Sequence, residues 1–551
     1  MIPSTFRNPI LKGFYPDPSL CRVGEWTYLI TSSFYYFPGI PIFASKDLVH
    51  WKQIGHALSR PEQLDYRNCD ISEGIWASTI RYHDGTYYII SMLDVNGRTE
   101  RYHFILTATD PAGPWSDAIM IEGADGIDPS IFFDDDDGRL WHMSNHIPEV
   151  EKFPTHKQIL LTELDPVTFQ FKGPRIPIFD AIEDHSLFME APHIYKRGEY
   201  YYLLTAEGGT QTNHCVRFYR SRRITGPYEI CPRNPVVSNR QVRMINEQGI
   251  AVAGHGDLVE TQNGEWYMAL LGIRPYQHLV EDYNRYLPRM WIREPDRNRD
   301  AQFNLGRETV LVPIAWDGDG WPIVDNENGL VNARERRPNL LWYRPCVDSR
   351  VDNFEEPTLD FAWLMQRPPK VPVYSLTERP GYLRLRLLPA LAEEKASSAA
   401  ILRRQQHNDF QAATVMEFTP RQNGEEAGIL VTQNERFSYL LVKEMEKETV
   451  SLCVYQVANG RRTCICRVPV KDGRLYLFVE GAPGEYSFYY GMRERERIPL
   501  AEHLDGSLLS TLVADGYVGV LLGMYASCGH ATAETKNTAD FDWFRYEAIE
   551  E

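Results

Sequence analysis

The chain has 551 residues, 43% hydrophobic and 12% aromatic, which is material for two or three domains with large cores. A formal net charge of −17 argues against nucleic acid and anionic membranes as partners, since both are bound through clustered Lys and Arg. The nine cysteines are scattered without metal-ligand spacing, no run approaches ~20 apolar residues, and the start Met-Ile-Pro-Ser-Thr has no apolar signal core, so a reduced, cytoplasmic protein is expected.

From Ile10 to about Val324 the chain is dominated by strand signals such as Tyr87-Tyr-Ile-Ile-Ser and Tyr200-Tyr-Tyr-Leu-Leu-Thr, punctuated by Gly, Pro, Asn and Asp. Five segments look alike: they start at Gly24, Gly85, Gly138, Gly198 and Gly264, and each is a turn glycine followed by an aromatic-rich apolar run. Seven to ten residues before these glycines stand Asp17, Trp76, Asp128, Glu190 and His255, each heading a short strand (Asp17-Pro-Ser-Leu, Trp76-Ala-Ser-Thr, Asp128-Pro-Ser-Ile, Glu190-Ala-Pro-His, His255-Gly-Asp-Leu). The glycines recur every 53 to 66 residues. A repeat of β-hairpins at that period predicts a β-propeller of five blades, with the first strand of each blade lining the axis. Three carboxylates, a Trp and a His should therefore meet in one pocket. Asp47-Leu-Val-His-Trp51, Gly113-Pro-Trp and Gly226-Pro-Tyr read as outer hairpin corners.

A polar, basic stretch from Asn328 to Asn339 reads as a linker. Beyond it the pattern has period two: in Tyr382-Leu-Arg-Leu-Arg-Leu the leucines 383, 385 and 387 should face a core while Arg384 and Arg386 face out. Many such strands with short turns predict a β-sandwich. The expected limits are a catalytic propeller over 1–330, a linker over 331–345 and a sandwich over 346–551.

Taken singly, the axial residues are ordinary. Asp17-Pro18 and Asp128-Pro129 are turn chemistry, the run Asp134 to Asp137 reads as a solvated hairpin tip, and His255 between two glycines suits a structural histidine. Glu190 stands out because Met189 and Ala191-Pro192 surround it with apolar groups. The shared register carries the functional reading, since unrelated turn preferences would not head the same strand in every repeat. Three carboxylates in an aromatic-walled pocket suit glycoside hydrolysis, which needs one acid and one base or nucleophile. The third would raise the pKa of the acid by like-charge repulsion. A metal hydrolase is less favoured, because only one of the five is a His.

The chain resembles glycoside hydrolase family 43, specifically its β-xylosidases with a C-terminal β-sandwich of the concanavalin-like jelly-roll type. The resemblance rests on Asn8-Pro-Ile-Leu-Lys-Gly-Phe-Tyr-Pro-Asp17-Pro-Ser, Phe37-Pro-Gly-Ile, Gly74-Ile-Trp76-Ala, Gly126-Ile-Asp128-Pro-Ser, Glu190-Ala-Pro-His, Gly254-His255-Gly-Asp-Leu-Val-Glu and Gly306-Arg307-Glu-Thr, and in the second domain on Gly523-Met-Tyr-Ala and Ala539-Asp-Phe-Asp-Trp-Phe. One departure is Ser78, where the family motif often carries Pro. The resemblance implies that Asp17 is the general base, Glu190 the general acid, and Asp128 the group that tunes and orients Glu190. It implies that Arg307 holds sugar hydroxyls and that Phe34 and Trp76 wall the first subsite. His255 would lie beneath, where some members hold a divalent ion; no cofactor is required, and calcium near His255 is the one ion expected. A sandwich loop, with Tyr517 as the contact, would cover the mouth. The expected function is an inverting, exo-acting β-xylosidase on short xylo-oligosaccharides, assembled as a homo-oligomer, a dimer or a tetramer. The alternative is an α-L-arabinofuranosidase, alone or as a side activity. A non-catalytic carbohydrate-binding propeller would not need the three carboxyls.

Overall fold

Five antiparallel sheets of four or five strands follow one another along the chain as far as Val324 in the computed structural model. The structure describes residues 3–97, 99–210, 212–245, 249–278, 301–345, 350–471, 473–529 and 535–549. The leading strands of the sheets are β1 (Ser19–Val23), β2 (Thr79–His83), β3 (Ser130–Asp134), β4 (Glu190–Arg197) and β5 (Ala251–Glu260). Each pairs with the apolar strand that follows its turn glycine. Gly24, Gly85, Gly138, Gly198 and Gly264 all have positive φ, between 59° and 82°, so the repeated glycine is the residue that lets each hairpin turn.

The leading strands form a closed ring. β1 packs against β2, β2 against β3, β3 against β4, β4 against β5, and β5 returns to β1. Side chains tie the ring: Ser19 Oγ accepts from Ile80 N–H (3.1 Å) and donates to Asp257 (2.6 Å), and Thr79 donates to the Pro129 carbonyl (3.1 Å). Ser130 donates to the Pro192 carbonyl, and Tyr195 to Asp257. The apolar cores lie between successive sheets, for example Ile90, Ile105, Ile131 and Leu140 between the second and third. Each fully buried side chain of this kind contributes about 1.5–3 kcal/mol relative to exposure.

Two compact units divide the chain, one of Met1–Pro275 with Arg307–Pro345, the other of Tyr276–Gly306 with Cys346–Glu551. This differs from the expected limits at two places. Residues 331–345 are not a free linker: Arg334–Arg336 pairs with Thr5–Arg7, and Asn8 donates to the Leu311 and Asn332 carbonyls. Basic composition suggested a solvated connection, but Glu335 between the arginines is buried and accepts from Asn332 N–H. The second difference is that the segment starting at Tyr276 belongs to the other unit. There Asn304 accepts from Tyr276 and donates to Tyr486 (3.0 Å).

The second unit contains an eight-stranded and a six-stranded sheet. Tyr439 of one meets Tyr486 and Phe488 of the other, with ring centroids 6.2 and 6.0 Å apart. Leu383, Leu385 and Leu387 are buried, and Arg384 turns outward to Asp540 (2.7 Å). Among the described residues the longest α-helix is the four-residue Thr511–Ala514, and no helix is long and apolar enough to cross a membrane.

Candidate active site

Asp17, Asp128 and His255 occupy equivalent places, each two residues before the first regular ladder position of its strand (Ser19, Ser130 and Asp257). All three adopt left-handed backbone, with φ of 54°, 54° and 51°. This conformation is costly for a residue with a Cβ, and Asp tolerates it better than most. The equivalent place in β4 is Ala191 (φ 52°), because the ladder shifts register between Glu190 and His193. Glu190 therefore stands one residue further upstream than Asp17 and Asp128 do, and so does Trp76, three residues before Thr79, the first ladder position of β2. The shared register expected from the sequence holds for three of the five heads and is offset by one for the other two.

Asp17 is buried and saturated with donors. Its Oδ2 accepts from Ser32 Oγ (2.6 Å), its Oδ1 from Arg307 Nη1 (2.8 Å), and His255 Nδ1 lies 3.6 Å from Oδ1. Burial alone would push this carboxyl up, but the Arg307 charge, His255 and the Ser32 bond together hold it below the ordinary carboxylate range. Asp17 is thus poised as an anion.

Asp128 and Glu190 are pushed the other way. Burial is the main cause in both. Asp128 lies well above its usual range, with the charge of Glu190 adding more than that of Asp17. Glu190 rises to about 7, with Asp17 adding to the shift and Lys157 and Arg307 opposing it. The Asp128 carboxyl also accepts from the backbone N–H of Ala191, next to Glu190, so the two acids are tied through the main chain. One carboxyl is held ionised while a neighbouring pair keeps its protons to higher pH than carboxyls ordinarily do.

The walls are aromatic. Phe34 and Trp76 have ring centroids 6.0 Å apart, and the Arg307 guanidinium carbon lies 5.7 Å from the Phe34 ring. Trp76 is half-buried and anchored by its indole N–H to the Ser72 carbonyl (3.0 Å). Backbone bonds between Phe34 and Ile75 in both directions join the first and second sheets here. The structure thus gathers Asp17, Asp128, Glu190, Arg307, His255, Phe34 and Trp76. Tyr517 lies half-buried in the second unit, on the loop between Thr511–Ala514 and Leu521–Ser527. Its expected contact with the pocket rests on the resemblance alone.

Several residues of the site were not legible in the repeat. Asn145 donates to the Met189 carbonyl (3.1 Å) and accepts from Ile127 N–H (2.9 Å), so one buried amide joins the residues preceding Glu190 and Asp128. Gly126 permits this closeness: a Cβ there would lie 1.8 Å from the Asn145 carbonyl oxygen. His214 packs against Gly254, where a Cβ would come within 2.0 Å of the ring, and burial pushes its pKa down to about 3, so it stands as a neutral ring near Asp17. Below the site, Asp257 accepts from Ser19, Leu20 N–H, Arg81 and Tyr195, and Arg81 also meets His193 (3.1 Å).

The surroundings of His255 do not fit a protein-ligated calcium ion. Calcium takes six to eight oxygens. Here the nearest carboxylate, Asp17, is bound to Arg307, whose positive charge opposes a second cation, and Asp257 is engaged by Arg81. Among the described residues no group of three or more His, Cys, Asp or Glu is arranged to hold a metal.

A buried carboxylate held as an anion near a carboxyl that keeps its proton, with aromatic walls, suits glycoside hydrolysis, which needs one acid and one base or nucleophile. Residues 6–322 match glycosyl hydrolases family 43, and residues 351–547 match the beta xylosidase C-terminal concanavalin A-like domain. The chain belongs to glycosyl hydrolases family 43. It is 37% identical to a non-reducing end alpha-L-arabinofuranosidase of Bacteroides ovatus, over 99% of this chain and 95% of that protein. It is 35% identical to a xylosidase/arabinosidase of Butyrivibrio fibrisolvens, over 98% of this chain and 99% of that protein. The crystal structure of xylan beta-1,4-xylosidase from Bacillus halodurans C-125 superposes with a TM-score of 0.89 at 32% identity, covering 98% of this chain and all of that one.

Proposed function

We propose that this enzyme is an inverting β-xylosidase that releases xylose from the non-reducing end of short xylo-oligosaccharides. The observation that carries the reading is the opposite treatment of two carboxyls: Arg307 holds Asp17 ionised, while burial holds Glu190 protonated up to about pH 7. Asp17 is the base that removes a proton from the attacking water. Glu190 is the acid that protonates the departing glycosidic oxygen. Asp128 orients Glu190 through the Ala191 N–H. Arg307 and the Phe34–Trp76 walls hold the terminal sugar, with His255 beneath. The acid and the base are both side chains, so the reaction as proposed needs no cofactor. The five sheets in a closed ring are read as the blades of a five-bladed propeller with this site at its axis. A location inside the cell is supported by eight free thiols among the described cysteines.

α-L-Arabinofuranosidase activity is the second reading, favoured by the name of the Bacteroides relative. Measuring kcat/KM for an aryl β-xyloside and an aryl α-L-arabinofuranoside on one preparation tests the choice. A higher value for the arabinofuranoside would overturn the main reading.

A further inference from the structure

Two buried histidines that the reaction does not use meet between the second and third sheets. His103, on the strand Glu100–Ala108, places Nδ1 3.0 Å from Nε2 of His142, on the strand Arg139–His146. The other nitrogen of His103, Nε2, lies 3.3 Å from the Gly126 carbonyl oxygen. A carbonyl only accepts, so His103 Nε2 carries the hydrogen. Burial keeps both rings neutral: it brings His103 down to about 4 and His142 well below the ordinary histidine value. A neutral ring has one hydrogen, so His103 Nδ1 is the acceptor and His142 Nε2 the donor. The bonds run one way, from His142 to His103 to Gly126.

Gly126 leads into Asp128, and side chains grip the main chain here from two sheets. Ser144 donates to the Asp125 carbonyl (2.9 Å) and Asn145 accepts from Ile127 N–H (2.9 Å), both from the third sheet. His103 reaches the carbonyl between them from the second sheet. The segment ends in the left-handed backbone of Asp128 (φ 54°), a costly conformation that persists only where the surroundings impose it. We propose that His103 and His142 are positioning residues for the acid: their one-way chain of hydrogen bonds fixes the Gly126 carbonyl, and through it the Asp128 carboxyl that orients Glu190. This rests on the reading of Glu190 as the acid and Asp128 as the group that orients it.

The surroundings suit a neutral relay. The charges that act on the pair are matched to one another: Arg175 and His146 both meet Asp125, and Arg101 meets Asp94 (3.1 Å). Phe171 lies edge-on to the His142 ring, with centroids 5.2 Å apart, and helps to hold its plane. The neighbours Phe104, Ile105, Leu140 and Met143 are buried and apolar. Apolar side chains at 103 and 142 would fill the same space, but they would leave the Gly126 carbonyl without this donor.

The tautomers can be read by nitrogen-15 NMR of the full chain labelled at histidine, where the pair is recognised by the coupling across its N–H···N bond. Both rings should carry their hydrogen on Nε2, and a hydrogen on Nδ1 of either would overturn the proposal. This arm uses the parental chain, so it stands even where a variant fails to fold. Kinetics tests the consequence. His103→Phe fills the site without a donor, so kcat on xylobiose should fall about 2- to 10-fold, the scale of one hydrogen bond, with KM nearly unchanged. The fall should be smaller on nitrophenyl β-xyloside, whose leaving group needs no proton. His103→Gln keeps an amide N–H for Gly126 and should restore most of the loss. Equal falls on the two substrates, or a glutamine variant no better than the phenylalanine one, would overturn the proposal. Glu190→Ala on the same substrates separates the two readings. If it spares the nitrophenyl substrate and His103→Phe does not, the relay alone fails. If it harms both substrates equally, the acid lies elsewhere and the relay falls with it.

Discussion

Arg307 Nη1 donates to Asp17 Oδ1 at 2.8 Å, with both groups buried and 290 residues apart in the chain. The pair does two things at once. It makes burial of the Asp17 carboxylate tolerable, since an unpaired buried charge would cost several kcal/mol. It also leaves this carboxyl ionised while burial raises Glu190 to about 7 and Asp128 well above its usual range, so an ionised and a protonated carboxyl coexist in one pocket below that pH.

Asp17→Asn should therefore lower kcat on xylobiose by about 10²–10⁴-fold with an unchanged circular dichroism spectrum, because the water loses its base. Arg307→Met should act differently. Without the guanidinium the pKa of Asp17 rises, so the acid limb of the kcat/KM profile should move to higher pH. A profile that keeps its acid limb would mean that Arg307 does not set the charge of Asp17.

Glu190→Ala should damage natural substrates far more than activated ones. A nitrophenolate leaves without a proton, whereas a sugar alkoxide does not. The loss on xylobiose should exceed the loss on nitrophenyl xyloside by at least about tenfold, and equal losses would move the acid elsewhere.

The pH dependence follows from the same groups. The reaction needs Glu190 protonated, so kcat/KM should fall as pH rises through about 7. Asp128 is held protonated well above the usual carboxylate range, so Asp128→Asn replaces one neutral group by another and should lower kcat through lost orientation of Glu190 while leaving this alkaline limb in place. A limb that moves to lower pH would mean that Asp128 carries a negative charge beside Glu190.

The ring and its contents were legible because the turn glycines and the Asp-Pro-Ser segments repeat with the sheets. Less visible was anything that breaks the repeat. The register shift after Glu190 moves that carboxyl one residue upstream, and only the ladder reveals it. Ser32, Asn145, Lys157 and His214 come from second strands or connecting segments, where no periodic signal marks them. The departure of Tyr276–Gly306 to the other unit is likewise a tertiary event without a local sequence cue.

Asn145 provides a prediction that the repeat could not. Its amide joins Ile127 N–H and the Met189 carbonyl, so Asn145→Ala leaves two buried backbone groups without this partner, at about 1–3 kcal/mol each. Lower Tm and lower kcat are both expected. Asn145→Asp keeps the acceptor for Ile127 and adds a negative charge near Glu190, so its alkaline limb should move to higher pH. A purely structural role would lower Tm without moving that limb.

The stereochemical outcome tests the roles of Asp17 and Glu190 together. If Asp17 activates water instead of attacking the sugar, no covalent glycosyl-enzyme forms, and one displacement inverts the anomeric carbon. The donors on Asp17 support this: Ser32 and Arg307 engage both oxygens and stabilise the anion, which favours a base over a nucleophile that must give up charge to a covalent bond. Proton NMR during the first turnovers of a β-xyloside should show α-xylose appearing before mutarotation produces the β anomer. β-Xylose as the first product would mean retention, and the Asp17 carboxylate would then be the group that bonds to the sugar.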